Sequence, residues 1–444
     1  MAKIQNLTVA LPLVALAAAL SAADAPARSQ FRVVAAFGAY SQPGGLAEGD
    51  PDVFYSFGGT APDYAFSVTA GGTLTQLAAF PNGYIVLPLV SASNARFYGM
   101  VVGGGGSVCN AFSVDSHANS LISYSQQAIC GSLNQSLPDG TMLGVGLQES
   151  TGAYSVFKSD LQGNVTPIYQ FPHGEQLPNN VIYASDGNYY GAAWQRYDGG
   201  STNTAGYIYQ LTPSGTLTKL YNLPPGTFAS LSNFVPILQA KDGNFYSVTT
   251  QGGANGFGSV YQLTPSGQFT TIYSFTGGQS AYPEALIQAS DGNLYAASLG
   301  NGYGQISRIT TAGQYTLLHT MAGASGSCVC LIIQGSDGVI YGTAGNNGPQ
   351  GGGDVFALNL GLPKPAPQAL SFTPEAGAAG KQVRIWGYNM LKASVSFDGV
   401  AAAAVRNSGP NYVFATVPQG AATGPITVTT PGGSSTTQAS FTVR

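Results

Sequence analysis

A short motif recurs at a near-constant interval along this chain, and the interval constrains the fold more than any single residue does. The motif is an acidic residue, usually followed by glycine, with an aromatic residue shortly after. Clear copies begin at Asp186, Asp242, Asp291 and Asp337, and weaker copies at Asp52, Asn94 and Asp139. The intervals run from 42 residues (Asp52 to Asn94) to 56 residues (Asp186 to Asp242). Such a period predicts a propeller or another array of repeated units.

Each repeat contains four short segments with the composition of β-strands. The segments GSVYQLT, QFTTIYSF, ALIQAS and NLYAAS alternate polar with apolar residues and are rich in aromatic and β-branched side chains. A tight-turn sequence, TPSG, occurs twice, at Thr212–Gly215 and Thr264–Gly267. Four strands in a unit of this length predict one propeller blade per repeat.

The two ends of the repeat region favour a closed ring. The segment Phe31–Phe37 matches a fourth strand, whereas the last unit stops at the third-strand segment Gly353–Leu360. An N-terminal strand can therefore complete the last blade, which removes the free sheet edges that promote aggregation. The prediction is an all-β chain with a seven-bladed β-propeller over residues 31–360.

The best preserved unit, GSVYQLTPSGQFTTIYSFTGGQSAYPEALIQASDGNLYAAS, resembles the GloVer-type tandem repeat of exported bacterial proteins. The shared features are the aromatic fourth strand, the proline before the next first strand and the terminal DGNLYG-like box. The resemblance is close from about Asn164 to Phe356 and weaker in the first three units. It implies a propeller-like secreted or surface protein and assigns no catalytic residue.

A different pattern follows the repeats. Residues 361–367 lie in a Pro-rich stretch that is typical of a semi-rigid linker. Residues 368–444 are short alternating segments separated by Gly and Pro turns, and they resemble the IPT/TIG immunoglobulin-like module. The matching landmarks are Pro374, Gly377, Gly380, Gly387, Phe397, Gly399, Val417, Pro418, Gly424, Pro425 and Gly432. The resemblance implies an immunoglobulin-like β-sandwich, large enough to bury its own core and fold independently.

The N-terminus indicates export. Lys3, the apolar run Leu7–Leu20 and the small residues after it predict a signal peptide over residues 1–25. No second apolar run of that kind follows, so no membrane span is expected after its removal. The predicted location is secreted or at the cell surface.

Four cysteines suit disulfide formation in an exported chain. Cys109 and Cys130 fall in neighbouring predicted strands and are expected to form a disulfide. Cys328 and Cys330 stand two residues apart in one predicted strand, where a bridge would be strained. Metal binding is the alternative for this second pair, although no His or acidic cluster adjoins it.

Composition excludes two classes of partner. Charged residues make up 8% of the chain, against about 25% in typical globular proteins, and the net charge is −4. Without a basic stripe the chain lacks the electrostatic footprint of nucleic-acid binding, and it has no polybasic patch for anionic lipid. The run Gly103–Gly106 lacks the Lys-Ser/Thr of a phosphate loop. No cofactor and no metal are expected.

Candidate binding residues lie in the connections from second to third strands, which vary widely in length. The longest follows Ala193 and concentrates aromatic and charged side chains. These are Trp194, Arg196, Tyr197 and Asp198, and neighbouring connections on the same side of the ring would add Glu149, His173 and Glu175. Aromatic rings with a few polar groups suit sugars. The alternative is that Trp194 covers a blade edge and Arg196 pairs with Asp198.

The repeated acidic residues invite a metal or acid/base interpretation, because seven of them could surround one side of the ring. The glycine that follows them fits a tight turn better, with the carboxylate accepting backbone N–H groups. His319 occupies the strand position held by Tyr221 and Tyr273 in other units, so it is predicted to be structural.

Three functions fit these observations. The leading one is an exported, non-catalytic propeller scaffold that binds a polysaccharide or a surface protein. The second is a secreted polysaccharide lyase or glycoside hydrolase, in which Glu149, His173 and Glu175 would supply acid and base groups. The third is a self-assembling surface protein, in keeping with low charge and 25 tyrosines. Fold alone does not choose among them.

Overall fold

The computed structural model describes residues 30–38, 43–58, 63–80, 83–103, 109–115, 121–126, 129–148, 150–176, 180–195, 206–224, 237–278, 280–321, 328–345 and 348–444. Within these ranges the chain forms 38 β-strands. The predicted signal peptide lies outside the described residues. In the same ranges, no helix is long and apolar enough to cross a membrane.

Antiparallel sheets follow one another from the N-terminus. Sheet 1 contains β2 (Ala47–Asp50), β3 (Val53–Gly58), β4 (Asp63–Thr69) and β5 (Leu74–Phe80). Sheet 2 contains β6 (Gly83–Ser91), β7 (Arg96–Gly103), β8 (Cys109–Asp115) and β9 (Leu121–Gln126). Sheet 3 contains β10 (Ile129–Ser136), β11 (Met142–Gln148), β12 (Ala153–Ser159) and β13 (Val165–Gln170). Sheet 4 contains β14 (Glu175–Gln176) and β15 (Val181–Tyr183), both paired with β16 (Tyr189–Gln195), then β17 (Gly206–Leu211) and β18 (Leu217–Leu223).

Three further sheets complete the series. Sheet 5 contains β19 (Leu238–Gln239), β20 (Phe245–Thr249), β21 (Ser259–Leu263) and β22 (Phe269–Ser274). Sheet 6 contains β23 (Ala281–Gln288), β24 (Leu294–Gly300), β25 (Tyr303–Ile309) and β26 (Tyr315–Thr320). Sheet 7 contains β27 (Cys328–Gln334), β28 (Ile340–Gly345), β29 (Gly351–Asn359) and, at its outer edge, β1 (Gln30–Gly38). Phe31 stands opposite Leu358 in this last pairing, which confirms the predicted closure by the N-terminal strand.

A hydrophobic cluster fills the space between each sheet and the next. The series does not stop at sheet 7, because one cluster joins sheet 7 to sheet 1. It contains Phe54 and Phe66 from sheet 1 and Tyr341 and Val355 from sheet 7. The rings of Phe54 and Tyr341 are 4.1 Å apart between centroids. The described sheets therefore form a closed ring, the arrangement of a β-propeller.

The repeated motif forms the turn between the first and second strands of a sheet. Asp186 accepts the backbone N–H of Asn188 (3.0 Å) through one carboxylate oxygen and the hydroxyl of Tyr190 (2.7 Å) through the other. The same pair of bonds recurs at Asp242, Asp291 and Asp337. The predicted turn role of these acidic residues is thus confirmed, and we call these turns the marker turns.

Sheet 1 departs from the sequence prediction. There Tyr55 donates its hydroxyl to Asp50 (2.7 Å), and Asp52 instead takes a left-handed conformation (φ 65°) of the kind that Gly187 adopts (φ 83°). The acceptor of the tyrosine hydroxyl in sheet 1 is therefore Asp50, five residues before Tyr55, and the predicted marker Asp52 was wrong in this role. The register between β2 and β3 is irregular between Glu48 and Asp50.

The predicted disulfide is present. Cys109 in β8 and Cys130 in β10 are bonded, with Cα atoms 5.3 Å apart, and they join sheet 2 to sheet 3. Cys328 and Cys330 lie in β27.

Two further sheets follow residue 360. One contains β30 (Gln368–Thr373), β32 (Gln382–Tyr388), β36 (Tyr412–Thr416) and β35 (Ala404–Ser408). The other contains β31 (Ala376–Gly377), β38 (Gly433–Val443), β37 (Gly424–Thr430), β33 (Ser394–Phe397) and β34 (Val400–Ala401). Both contribute to one hydrophobic core, for example through Ile385 and Val413 from the first and Phe397 and Phe441 from the second. We call them the C-terminal sheet pair.

The C-terminal sheet pair packs against the side of the ring that carries the marker turns, here called the marker-turn side. Tyr412 donates its hydroxyl to the carbonyl of Leu137 (2.6 Å), and Ser408 donates to the carbonyl of Ser93 (2.8 Å). Both acceptors precede marker turns, in sheets 3 and 2 respectively. The opposite side, here called the loop side, carries the connections from second to third strands.

The Pro-rich connector over residues 361–367 also lies on the marker-turn side. The carbonyl of Pro363 accepts hydrogen bonds from Gln334 Nε2 (3.2 Å) and Ser290 Oγ (2.5 Å). The connector is thus attached to sheets 6 and 7, while the strands after it contact sheets 2 and 3.

We predict that replacing Tyr412 by Phe lowers the free energy of unfolding by about 1–2 kcal/mol, because it removes a buried hydrogen bond between the ring and the C-terminal sheet pair. Urea denaturation measures the loss, and amide exchange should rise at the turn over residues 137–141. Tyr303→Phe, at a tyrosine that is 47% exposed, is the control. Equal effects of the two substitutions would contradict this account of the interface.

Asp354 in β29 is a buried carboxyl with no hydrogen-bond partner among the described residues. Burial raises its pKa from 3.8 to about 7. The folded chain therefore binds a proton at Asp354 that the unfolded chain releases at lower pH.

This shift predicts a pH dependence of stability. The contribution of Asp354 is fully present below pH 4 and declines as the pH rises to about 7, with a total on the order of 4 kcal/mol. Asp354→Asn should remove the decline and raise the urea midpoint at pH 8. Glu375→Gln, at an exposed carboxyl, is the matched control and should leave the pH profile unchanged. An identical profile in wild type and Asp354→Asn would refute the assignment.

Candidate functional site

The loop side is where the sequence places the candidate residues, and the structure describes part of it. Glu149, Arg196, Tyr197 and Asp198 lie outside the described residues. Trp194 is described at the level of its backbone, near the end of β16, where it pairs with Gln176 and Gly206. The two strands that pair with this end of β16, β14 and β17, both belong to sheet 4.

The connection between sheets 3 and 4 is a tight turn over residues 172–175. The N–H of Glu175 donates to the carbonyl of Pro172 (3.1 Å), and Gly174 takes a left-handed conformation (φ 92°). Glycine is favoured in this position because a side chain would be strained there. The turn delivers Glu175 to β14, opposite Gln195 at the end of β16.

The carboxylate of Glu175 is bound by two residues of sheet 4. Tyr207 donates its hydroxyl to Oε2 (2.6 Å), and Lys219 Nζ lies 3.8 Å from Oε1. The same Lys219 ammonium lies 3.8 Å from the centre of the Tyr207 ring, a cation–π contact. Burial, followed by the hydrogen bond to Glu175, raises the pKa of Tyr207 far above its ordinary value, so the hydroxyl stays a donor.

His173 contacts a different element. It is exposed, and its Nε2 would lie 3.6 Å from a side-chain carbon added at Gly152, in the loop between β11 and β12. His173 therefore borders sheet 3 while Glu175 faces Tyr207 and Lys219 of sheet 4. The structure does not show the two as one acid/base pair.

The Glu175, Tyr207 and Lys219 cluster adds two residues that the sequence interpretation missed. The signal was the alternation in GYIYQL, which directs Tyr207 and Tyr209 to the same side of β17, towards sheet 3. Chemically the cluster is a satisfied ion pair with a phenol donor. Across the ranges that the structure describes, no three His, Cys, Asp or Glu side chains are grouped to hold a metal ion.

Comparison with known proteins supports the repeat and the fold. Residues 177–382 match the model of the Gloeobacter/Verrucomicrobia repeat family. The chain matches none of the curated proteins with which it was compared.

Solved structures give the same architecture. A streptogramin B lyase structure is similar with a TM-score of 0.50 and 17% identity, over 75% of this chain and 98% of the other. A catalytically inactive virginiamycin B lyase from Staphylococcus aureus with quinupristin has a TM-score of 0.50 and 15% identity, over 75% and 99%. At such identity the likeness concerns the fold alone, and together with the ring of sheets it supports a β-propeller.

We predict that Tyr207→Phe lowers the free energy of unfolding by about 1–3 kcal/mol, because it leaves the Glu175 carboxylate without its hydrogen-bond donor. Lys219→Gln should cost less than about 1 kcal/mol, since its side chain is 48% exposed and the ion pair is long. Urea denaturation of the two variants provides the measurement. A larger loss from Lys219→Gln would mean that the ion pair, and not the hydroxyl, holds Glu175.

Proposed function

We propose that the chain is an exported, non-catalytic scaffold that binds a polysaccharide on the loop side of its propeller. In this proposal the sheets of the ring are the blades of a seven-bladed propeller over residues 31–360. The C-terminal sheet pair is an immunoglobulin-like module of the IPT/TIG kind over residues 368–444. The disulfide between Cys109 and Cys130 supports an oxidising compartment.

The observation that carries the proposal is the position of the C-terminal sheet pair. It occupies the marker-turn side of sheets 2 and 3, and the connector occupies that side of sheets 6 and 7. The docked C-terminal residues therefore leave less of the marker-turn side open to a polymer, and the hydrogen bonds that hold them lie on that side. The loops there vary between repeats, which is the usual setting of binding residues on a rigid scaffold.

Composition supports a neutral ligand. With 8% charged residues, the chain has little means to attract a strongly charged polymer, but it has 25 tyrosines and 2 tryptophans. Aromatic rings pack against sugar rings, and backbone and amide groups hydrogen-bond their hydroxyls.

A catalytic role has less support. Of the three acid/base candidates, Glu175 is already held by Tyr207 and Lys219. A general acid or base needs a pKa and a geometry suited to proton transfer to a substrate, and a carboxylate bound this way is a structural acceptor. The lyase activity of the similar solved structures belongs to those proteins, since the likeness is limited to fold.

The proposal predicts that Trp194→Ala weakens binding of a polysaccharide by about 1–3 kcal/mol, as expected for loss of an aromatic anchor. Asp291→Asn, in a marker turn on the other side, should leave affinity unchanged and lower stability only. Affinity electrophoresis against neutral and charged polysaccharides measures the affinity of the two variants, and urea denaturation measures their stability. Release of new reducing ends or unsaturated products would favour a hydrolase or lyase, and binding of no polysaccharide would refute the proposal.

A further inference from the structure

Three exposed or half-exposed aromatic residues lie on the loop side of sheets 5 and 6. Tyr303, at the start of β25, is 47% exposed, and Tyr282, in β23, is 39% exposed. Phe257, in the loop between β20 and β21, makes an edge contact with Tyr282 at 5.9 Å between ring centroids. Large exposed aromatic side chains concentrated in one place are typical of a binding surface.

The strand geometry turns both tyrosines in the same direction. Phe257 belongs to sheet 5, so its contact places Tyr282 towards that sheet. Tyr303 lies on the same side of β25 as Ile309, which packs with Val248 of sheet 5. β23 and β25 are separated by β24 alone, so the strand backbones that carry the two tyrosines lie roughly 10 Å apart. That backbone spacing exceeds one pyranose ring.

Tyr282 is held in an unusual conformation. Its φ is 49°, a left-handed value that a bulky side chain rarely adopts, and it interrupts the register between Ala281 and Pro283. A bulge of this kind re-aims a side chain. Strain in the backbone persists where the surroundings impose it, and the strain here presents an aromatic ring to solvent.

The surrounding loops are fixed to one another by backbone hydrogen bonds. The N–H of Tyr282 donates to the carbonyl of Phe257 (2.9 Å), and the N–H of Asn301 donates to the carbonyl of Gly278 (2.8 Å). These bonds connect the loops of sheets 5 and 6 and the segment between the sheets. The aromatic groups are therefore positioned before a ligand arrives, which lowers the entropy lost on binding.

The chemistry of the loops specifies a neutral ligand. Residues 250–258, 275–283 and 299–304 contain no Asp, Glu, Lys or Arg, and Glu284 is the first charged residue along β23. They offer rings, backbone groups and the side-chain amide of Asn301, whereas Asn255 Nδ2 donates to the carbonyl of Phe275 (3.0 Å). A charged glycan would be expected to meet charged groups, whereas these groups suit sugar hydroxyls and the apolar faces of sugar rings.

We propose that Tyr282 and Tyr303 form a subsite for a neutral oligosaccharide chain, one sugar ring packing on each tyrosine. The inference rests on the proposed function, to which it adds the ligand class and a location separate from Trp194. The proposal specifies an oligosaccharide, and not a monosaccharide, because the strands that carry the two tyrosines lie roughly 10 Å apart.

The test uses the full chain and affinity electrophoresis in dextran, galactomannan, xyloglucan and hydroxyethyl cellulose, with alginate and polygalacturonate as charged polymers. Tyr303→Ala and Tyr282→Ala should each weaken retention by a neutral polymer at least about fivefold. Tyr303→Phe keeps the ring and should stay within about twofold of wild type. Leu317→Ala, at an exposed residue of the same sheet, is the matched control and should bind like wild type. Thermal denaturation checks that each variant is folded.

The outcomes separate the two proposals. If a neutral polymer retains the wild type and both alanine variants equally, the subsite is overturned and the proposed function stands. Retention by the charged polymers alone would also overturn the subsite. Failure of the wild type to bind any polymer would overturn both. Loss of binding in Tyr282→Ala and Tyr303→Ala, with Leu317→Ala unaffected, would support the subsite even if Trp194→Ala binds normally.

Discussion

The hydrogen bond from a buried tyrosine to the aspartate of a marker turn is the interaction on which the ring depends. A tyrosine between two sheets buries a large ring but leaves a hydroxyl that needs a partner. Asp186, Asp242, Asp291 and Asp337 each accept that hydroxyl from the tyrosine four residues later, in the strand that follows their turn. Each aspartate thus closes its hairpin and also supplies the hydrogen-bond acceptor for the hydroxyl of a tyrosine buried between two sheets.

The same turns set the contact from one sheet to the next. The side chain of Gln239 accepts the N–H of Ser185, that of Gln288 accepts the N–H of Lys241, and that of Gln334 accepts the N–H of Ser290. Because every one of these bonds uses the residue just before a marker aspartate, the marker-turn side must stay similar from sheet to sheet. The connections on the loop side differ in length and sequence from repeat to repeat. A uniform side suits docking of another part of the chain, and the variable side suits ligand selection.

Sequence reasoning succeeded where the determinants are local and periodic. The repeated aspartates, the strand phases at the two ends and the spacing of Cys109 and Cys130 each reflect short-range patterns, and the structure confirms them. It erred at Asp52, because the tyrosine hydroxyl of sheet 1 donates to Asp50, beside an irregular register between β2 and β3. It did not predict the docking of Tyr412 on Leu137, 275 residues away, or the lack of a partner for Asp354 among the described residues. Such contacts depend on which surfaces meet, and no local pattern encodes that.

Neighbouring sheets are joined by different interactions, and the interaction depends on how well the marker-turn sequence is preserved. The joint from sheet 7 to sheet 1 spans 288 residues, but the entropy of closing a loop grows slowly, by about 0.6 kcal/mol per doubling of length. Glu48 performs there the role of the glutamines, accepting both the N–H (2.8 Å) and the hydroxyl (2.7 Å) of Ser336. In sheet 2 the marker residue is Asn94, whose side chain accepts the N–H of Arg96 (3.3 Å) and donates to the hydroxyl of Tyr98 (2.8 Å). In sheet 3 the residue four positions after Asp139 is Leu143, which has no hydroxyl to donate. The disulfide joins these two sheets, so a covalent bond reinforces the ring where the aspartate–tyrosine bond is absent.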